Sequence, residues 1–187
     1  ARNFSDMFGD DMVDLLHSNF IATERIRKEK DLLQEIGKKA MRPPKKIIIG
    51  TQVIEQSLDI DFDVLISDLA PMDLLIQRIG RLHRHKIKRP QKHEVARFSI
   101  LGTFEEFDFD EGTRLVYGDY LLARTQYFLP DEIRLPDDIS PLVQKVYNSY
   151  LTITYPKPEL HQKYLDAKMA HDDPIQNTER TAKSYRI

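Results

Sequence analysis

The sequence predicts an α/β protein in which a parallel sheet flanked by helices is followed by a helical extension. Short apolar runs alternate with segments of helical spacing up to residue 101, and after Gly102 only helical spacing recurs. A run of three isoleucines at 47–49 is typical of an interior strand. Strands that alternate with helices favour parallel sheets with right-handed crossovers. We expect one domain over residues 1–103 and a helical region over 104–187.

Local signals place the elements of the first domain. Strands are expected at 13–16, 47–49, 64–66 and 97–101. Helices are expected at 1–8 with a stop at Gly9, at 23–36 with Thr23 as N-cap and Gly37 as stop, at 52–57, and at 74–81 with Asp73 as N-cap. Within 23–36, the predicted inner face carries Ile26, Leu33 and Ile36.

Spacing and prolines place the helices of the second region. One long helix is expected at 113–128, with Val116, Tyr120, Ala123 and Tyr127 at helical intervals. Ser140 and Pro141 predict a helix start, followed by Leu142, Val146 and Tyr150 at fourfold spacing, and a last helix is expected at 159–171. Aromatic rings can stack on nucleic-acid bases. Because they occur at helical spacing, we interpret the rings of this region as packing surface: Tyr117, Tyr120, Tyr127 and Phe128.

Composition excludes several classes of protein. The absence of cysteine excludes a disulfide framework, a thiolate metal site and a cysteine nucleophile. No apolar run approaches the roughly 18 residues that span a bilayer, and the amino terminus has no secretory pattern. We therefore expect a cytoplasmic protein with no membrane contact. The net charge of −2 requires any nucleic-acid contact to come from a local patch.

A basic block follows an acidic one in the middle of the chain. Residues 78–92 contain seven Lys or Arg and no Asp or Glu, and five aspartates precede them: Asp59, Asp61, Asp63, Asp68 and Asp73. Such a change of sign is common on solvated faces. The basic block also contains an ordered motif, which favours a functional role.

That motif brings two arginines close together. Arg81 and Arg84 are three residues apart, and Gln77 lies one helical turn before Arg81. Two permanently charged guanidinium forks suit a polyphosphate, and one arginine finger can contribute about 10³–10⁵ in the rate of phosphoryl transfer. The alternative is that these arginines pair with the nearby aspartates.

The strand at 47–49 ends in Gly50 and Thr51. Ligands bind at the carboxyl edge of the strands in open α/β sheets. Thr51 is placed to donate to a backbone phosphate, and Asp59 to accept from a ribose hydroxyl or to pair with an arginine. The strand end alone is weak evidence, and the glutamine-arginine motif about 25 residues later strengthens it.

These segments resemble motifs V and VI of superfamily-two helicases, in their second RecA-like lobe. The resemblance is closer to the CRISPR-associated helicase-nuclease of type I systems. It is carried by 50–59, 68–71 and 77–84, with further similarity at 15–20, at Glu24 and Arg25, and at 135–143, and it is loosest after residue 150. It implies that 1–103 is a RecA-like lobe incomplete at its N-terminal edge and that the chain is a fragment. It also implies four partners: the first RecA-like lobe, an HD nuclease domain, single-stranded DNA and the Cascade surveillance complex.

The resemblance also implies roles for individual residues. Arg81 and Arg84 match the arginines that reach the phosphates of ATP. Gln77, Asp59 and Gly50 match positions near the nucleotide, and Thr51 matches the threonine near the DNA backbone. ATP and Mg²⁺ are the cofactors of the complete motor.

Other parts of such a motor are missing from the sequence. There is no G-x-x-x-x-G-K-[ST] segment and no D-E-x-H or D-E-x-D segment. We therefore expect the chain alone to be inactive, to bind no cofactor tightly and to hold no metal. Two alternatives stay open: a non-catalytic docking module that uses 78–92, and RNA as the track, because the motifs contact mainly phosphates.

Overall fold

The computed structural model describes residues 2–17, 20–51, 55, 58–103, 106–173 and 178. In chain order the elements are α1 (Arg2–Phe8), a 3₁₀ turn (Asp10–Met12), β1 (Val13–Leu16), α2 (Ala22–Ile36), β2 (Ile47–Gly50), β3 (Val64–Asp68), α3 (Met72–Ile79), a second 3₁₀ turn (Gln91–His93), β4 (Arg97–Leu101), α4 (Glu111–Tyr117), α5 (Asp119–Phe128), α6 (Ile139–Tyr147) and α7 (Pro158–Asp172). The α/β class is confirmed, followed by helices as predicted. The short helix predicted at 52–57 lies almost wholly outside the described residues.

The strands pair as two small sheets. In the first, β1 and β2 are parallel, with Val13 opposite Ile47 and Leu16 opposite Gly50. The second consists of β3 and β4. The β2 side chains are half-buried, and Ile66 of β3 is 62 % exposed. Helices therefore cover these strands less completely than the apolar runs predicted.

Residues 1–65 and 77–98 form one compact unit. Its core consists of Leu16, Leu32, Ile36 and Ile60, with Ile48, Leu58 and Phe62 packed against them. These side chains come from β1, α2, β2 and the segment before β3. The core thus fixes the 58–62 segment, which carries Asp59, against the parallel pair of strands.

The inner face of α2 differs from the prediction. Leu32 and Ile36 are buried, whereas Ile26 and Leu33 are exposed. The helix begins at Ala22 after Ile21, without a side-chain cap, so Thr23 lies within the first turn and is not the N-cap. Both errors follow from burial, because packing against the core selects the helix face and overrides local capping signals.

Gly37 does end α2, as predicted. Its backbone N–H donates to the Leu33 carbonyl at 3.0 Å. A Cβ at this position would collide with the same carbonyl oxygen. Close backbone approach, and not a left-handed conformation, therefore requires glycine here.

The helix that precedes the arginine motif begins earlier than predicted. It runs from Met72 to Ile79, and the amides of Leu74 and Leu75 donate to the Pro71 carbonyl, so Asp73 lies inside the first turn. Asp73 instead accepts a hydrogen bond of 2.6 Å from the Tyr147 hydroxyl. Its role is therefore to join α3 to α6, and it is not a cap.

Residues 66–76 and 99–187 form the second compact unit. The single helix predicted at 113–128 is two helices, α4 and α5, separated at Gly118 with φ 75°. This left-handed conformation favours glycine and breaks the helical hydrogen-bond ladder. Asp110 caps α4 by accepting from the amides of Gly112 and Thr113.

One apolar cluster joins α3 to α6. It contains Met72, Ile76, Leu142 and Val146, with Phe128, Leu129, Ile133 and Val143 packed against it. Helix α6 begins at Ile139, so Ser140 lies in its first turn and is not the N-cap. Leu142 and Val146 face the cluster as predicted, but Tyr150 lies beyond the helix and is 95 % exposed.

A buried arginine organises the remaining helices. Arg124 of α5 is fully buried, and its guanidinium donates to the Tyr164 hydroxyl of α7 at 2.9 Å. It also donates to the carbonyls of Lys145, Val146, Asn148 and Leu151. Tyr120 is buried against Tyr164, with ring centroids 5.6 Å apart, which supports the packing interpretation for Tyr120, whereas Tyr127 is 47 % exposed.

Candidate functional site

Two segments meet to form the candidate site. The Phe62 amide donates to the Arg81 carbonyl at 2.8 Å, and the His83 amide donates to the Phe62 carbonyl at 3.0 Å. These bonds form a parallel bridge between Phe62 and Leu82. This bridge holds the aspartates at 59–63 alongside the arginine motif at 77–84. The two segments that the sequence analysis combined into one site therefore lie next to each other.

The first consequence is a contact between two of the predicted site residues. Arg84 Nε lies 2.7 Å from Asp59 Oδ1, and His85 Nε2 lies 3.2 Å from the same oxygen. The side chains of Arg84 and Asp59 are 39 % and 50 % exposed. The arginine predicted for phosphates therefore pairs on the surface with the acid predicted for the ribose.

Arg81 belongs to the same electrostatic cluster. Burial, together with the positive charge of Arg84, lowers the pKa of Arg81, and the charge of Asp59 opposes this effect. The hydrogen bond from Arg84 lowers the pKa of Asp59. Arg81 and Arg84 thus lie close enough to repel each other, and an added polyanion would relieve this repulsion. The arrangement fits the phosphates of a nucleotide.

The arginines do not lie on a helix. Helix α3 ends at Ile79, and Arg81 is in a turn in which its amide donates to the Arg78 carbonyl at 2.9 Å. Arg84 Nη1 is 3.3 Å from the Gly80 carbonyl. A turn, and not helical spacing, therefore brings the two guanidinium groups together, while Gln77 remains on α3 with its side chain exposed.

Gly50 and Thr51 mark the end of β2. The Thr51 amide donates to the Leu16 carbonyl at 3.1 Å, which extends the parallel pairing by one residue. Thr51 is exposed, so its hydroxyl is available to a ligand. Both residues lie in the same compact unit as the arginine cluster.

A buried ion pair beneath the cluster was missed from the sequence. Asp61 is 1 % exposed, and both of its carboxylate oxygens accept from Arg89 Nη2, at 2.8 and 2.7 Å. Asp63 pairs with Arg89 and with Arg42, whose Nη1 is 2.8 Å away. The sequence feature that could have predicted these ion pairs is the alternation of Asp59, Asp61 and Asp63 before a basic block.

Arg78, which received no predicted role, is part of another ion pair. Its Nε and Nη2 lie 2.8 and 2.5 Å from Glu55 Oε1, and both side chains are largely buried. A pair of this kind joins the segment after β2 to α3. It is therefore structural, unlike the exposed pair at Arg84.

The described residues of the candidate site do not form a magnesium-binding cluster. In the part of the chain that the structure describes, no three His, Asp or Glu side chains cluster in a way that could hold a metal ion. The ring of His171 in α7 packs against Tyr120, with ring centroids 4.7 Å apart.

None of the described helices is long and apolar enough to cross a membrane.

Fold and site together define the class of protein. Small parallel strands flanked by helices, with an arginine pair directly after α3, form a RecA-like helicase lobe. The family model described as CRISPR-associated nuclease/helicase Cas3, C-terminal, matches residues 1–87. The resemblance to the CRISPR-associated helicase-nucleases inferred from the sequence is confirmed, because this family model and several Cas3 proteins match the chain.

Individual relatives support this assignment. The CRISPR-associated nuclease/helicase Cas3 of Streptococcus thermophilus is 91 % identical over 100 % of this chain, which covers 20 % of that protein. The crystal structure of T. fusca Cas3-ATP is 31 % identical, with a TM-score of 0.77 over 98 % of this chain and 20 % of that one. A chain of a CRISPR RNA-guided surveillance complex, pre-nicking, is 30 % identical, with a TM-score of 0.75 over 97 % of this chain and 22 % of that one. The chain spans about a fifth of the length of these proteins.

Proposed function

We propose that this chain is the C-terminal motor lobe of an ATP-dependent helicase that translocates on single-stranded DNA in type I CRISPR interference. The lobe supplies arginine fingers to ATP and contacts to the DNA backbone. The observation that carries the proposal is the exposed Asp59–Arg84 pair beside Arg81. Similarity to a Cas3-ATP structure and to a surveillance complex supports it.

Each site residue has a proposed task. Asp59 accepts from the ribose hydroxyl and so releases Arg84, and Arg84 and Arg81 then place their charges at the phosphates. Gln77 and Gly50 lie beside the nucleotide, and Thr51 donates to a DNA phosphate. In the complete motor, ATP would supply the phosphoryl group, and residues outside this chain would hold the Mg²⁺ that neutralises its charge.

The proposed partners follow from what the chain lacks. A phosphate-binding loop with its lysine and an acidic metal ligand belong to a first RecA-like lobe, since neither motif is in this sequence. The HD nuclease domain and the Cascade surveillance complex are the further proposed partners. The chain alone is therefore proposed to be catalytically inactive.

The docking-module alternative has less support. Within 78–92, Arg78, Arg84 and Arg89 each pair with a carboxylate of the same unit. These contacts reduce the charge that the basic block can offer to a nucleic acid or an acidic partner. They leave an ordered arginine site and not a uniformly basic surface.

The decisive experiment is Arg84→Ala in a full-length protein that carries this chain. DNA-stimulated ATP hydrolysis should fall by about 10³, because the finger is lost, while affinity for single-stranded DNA should change by less than about twofold. Lys86→Ala is the matched control, because Lys86 is an exposed cation of the same basic block. Turnover near the wild-type rate in Arg84→Ala would refute the finger assignment.

A further inference from the structure

A single buried carboxylate holds the backbone of the arginine motif. The Arg84 amide donates to Asp61 Oδ1 at 3.1 Å, and the His85 amide donates to Asp61 Oδ2 at 3.3 Å. Asp61 is 1 % exposed, so these bonds are shielded from water. Its own amide donates to the Ile36 carbonyl at 3.1 Å, which ties it to the end of α2.

Arg89 completes this arrangement. Its side chain is 6 % exposed, and its Nη2 contacts both oxygens of Asp61 as well as the His85 carbonyl at 3.3 Å. A buried carboxylate is costly without a compensating charge, and Arg89 supplies that charge. The segment from Arg84 to Arg89 therefore folds around the carboxylate of Asp61, which accepts hydrogen bonds from both ends of the segment.

We propose that Asp61 is a positioning residue for Arg84, with Arg89 as its buried counter-ion. This inference rests on the proposed function of Arg84. Catalysis by a positioned charge is sensitive to displacements of about 1 Å. With its backbone fixed by Asp61, Arg84 moves between Asp59 and a phosphate by rotation of its side chain alone.

Asp63 provides a matched control. It shares Arg89 with Asp61 and pairs also with Arg42, but it is 36 % exposed. The amides of Arg84 and His85 donate to Asp61. Asp63→Asn therefore removes a charge from the same network while keeping the bonds that fix the motif.

The test uses Asp61→Asn in a full-length protein that carries this chain. Asparagine keeps the shape but loses the charge and one acceptor, so one of the two amides loses its partner. DNA-stimulated turnover should fall at least about tenfold, with the KM for ATP changed less than about threefold. Asp63→Asn should change turnover less than about twofold.

A double-mutant cycle separates positioning from general stability. If Asp61 acts through Arg84, then Asp61→Asn should cost less than about twofold in an Arg84→Ala background. An equal loss in both backgrounds would make Asp61 merely structural and overturn the proposal. So would wild-type turnover in Asp61→Asn. Wild-type turnover in Arg84→Ala would instead refute the proposed function on which the inference rests.

Amide hydrogen exchange gives a readout without ATP. In Asp61→Asn, exchange at Arg84 and His85 should accelerate at least about tenfold, while the Phe62 amide, bonded to the Arg81 carbonyl, stays protected. If Asp61→Asn does not fold, Arg89→Lys replaces the fork by a point charge and should accelerate the same two amides. Unchanged exchange at both amides in the folded variant would overturn the proposal.

Discussion

Arg84 and Asp59 are 25 residues apart in the chain and form an ion pair with an Nε–Oδ1 distance of 2.7 Å. Both side chains remain accessible to water. Exposed pairs of this kind contribute little to stability, because water screens both charges. The contact can therefore open at small cost, which is the property that the proposed nucleotide site needs from groups that must change partners.

The Asp59 carboxyl should titrate below its ordinary range. The Arg84 hydrogen bond lowers its pKa, so the contribution of this pair to folding is complete above the unfolded-state pKa. It is lost as the pH falls through the lower folded-state pKa. Carboxyl carbon chemical shifts measured by NMR against pH should report the lowered midpoint.

Arg84→Gln tests the cause of that shift. The Asp59 midpoint should rise towards its ordinary value, because the charged donor is gone. Asp63 serves as the internal control. Despite partial burial, Arg89 and Arg42 keep its pKa lowered, and neither contact involves Arg84. An unmoved Asp59 midpoint would mean that another group controls this carboxyl.

Thr51→Ala should uncouple DNA binding from hydrolysis in a full-length protein that carries this chain. The Thr51 backbone stays paired to Leu16 in the variant, so the melting temperature should change by less than about 2 °C. The DNA concentration for half-maximal ATPase stimulation should rise about three- to tenfold, as expected for one lost phosphate contact. Thr51→Ser should retain the wild-type response, and equal behaviour of both variants would rule out the hydroxyl as the DNA contact.

The 187-residue chain alone should not hydrolyse ATP. Its arginines present charge to a nucleotide that no phosphate-binding loop holds. Phosphate release measured with magnesium, ATP and single-stranded DNA should equal that of the Arg84→Ala chain. Turnover above this control would contradict the proposal that the catalytic parts are divided between two lobes.

Arg124→Met should destabilise the helical unit by about 3 kcal/mol or more. The substitution leaves the Tyr164 hydroxyl and four carbonyls without the guanidinium, and each buried unsatisfied group costs about 1–3 kcal/mol. Arg114→Met is the matched control. Its exposed pair with Asp119 should contribute less than about 1 kcal/mol.

Tyrosine signals report this unit selectively. All eight tyrosines occur at or after residue 117, so near-ultraviolet circular dichroism follows the unfolding of the helices around Arg124. The midpoint in urea should fall clearly for Arg124→Met and little for Arg114→Met. Equal midpoints for the two variants would show that Arg124 is dispensable.

Local sequence signals placed most elements within one or two residues. The strands β1 and β4 and the last helix, α7, were predicted closely because apolar runs and proline are local signals. The prediction of one continuous helix at 113–128 was wrong. The apolar residues keep helical spacing on both sides of Gly118, and this spacing does not reveal the positive φ of that glycine. The face of α2 was wrong because Leu32 and Leu33 are equally apolar, and only the core selects between them.

By itself, the sequence determined the α/β class, the family resemblance and the identity of the arginine and aspartate motifs, since these depend on residue types and short spacings. Only the tertiary structure decided which charges meet. Arg84 contacts Asp59, whereas Arg89 is buried with Asp61, although all four residues lie in similar charged surroundings in the chain. Burial separates them, because a low-dielectric interior requires a charge to have a fixed partner, while an exposed charge in water can exchange its own.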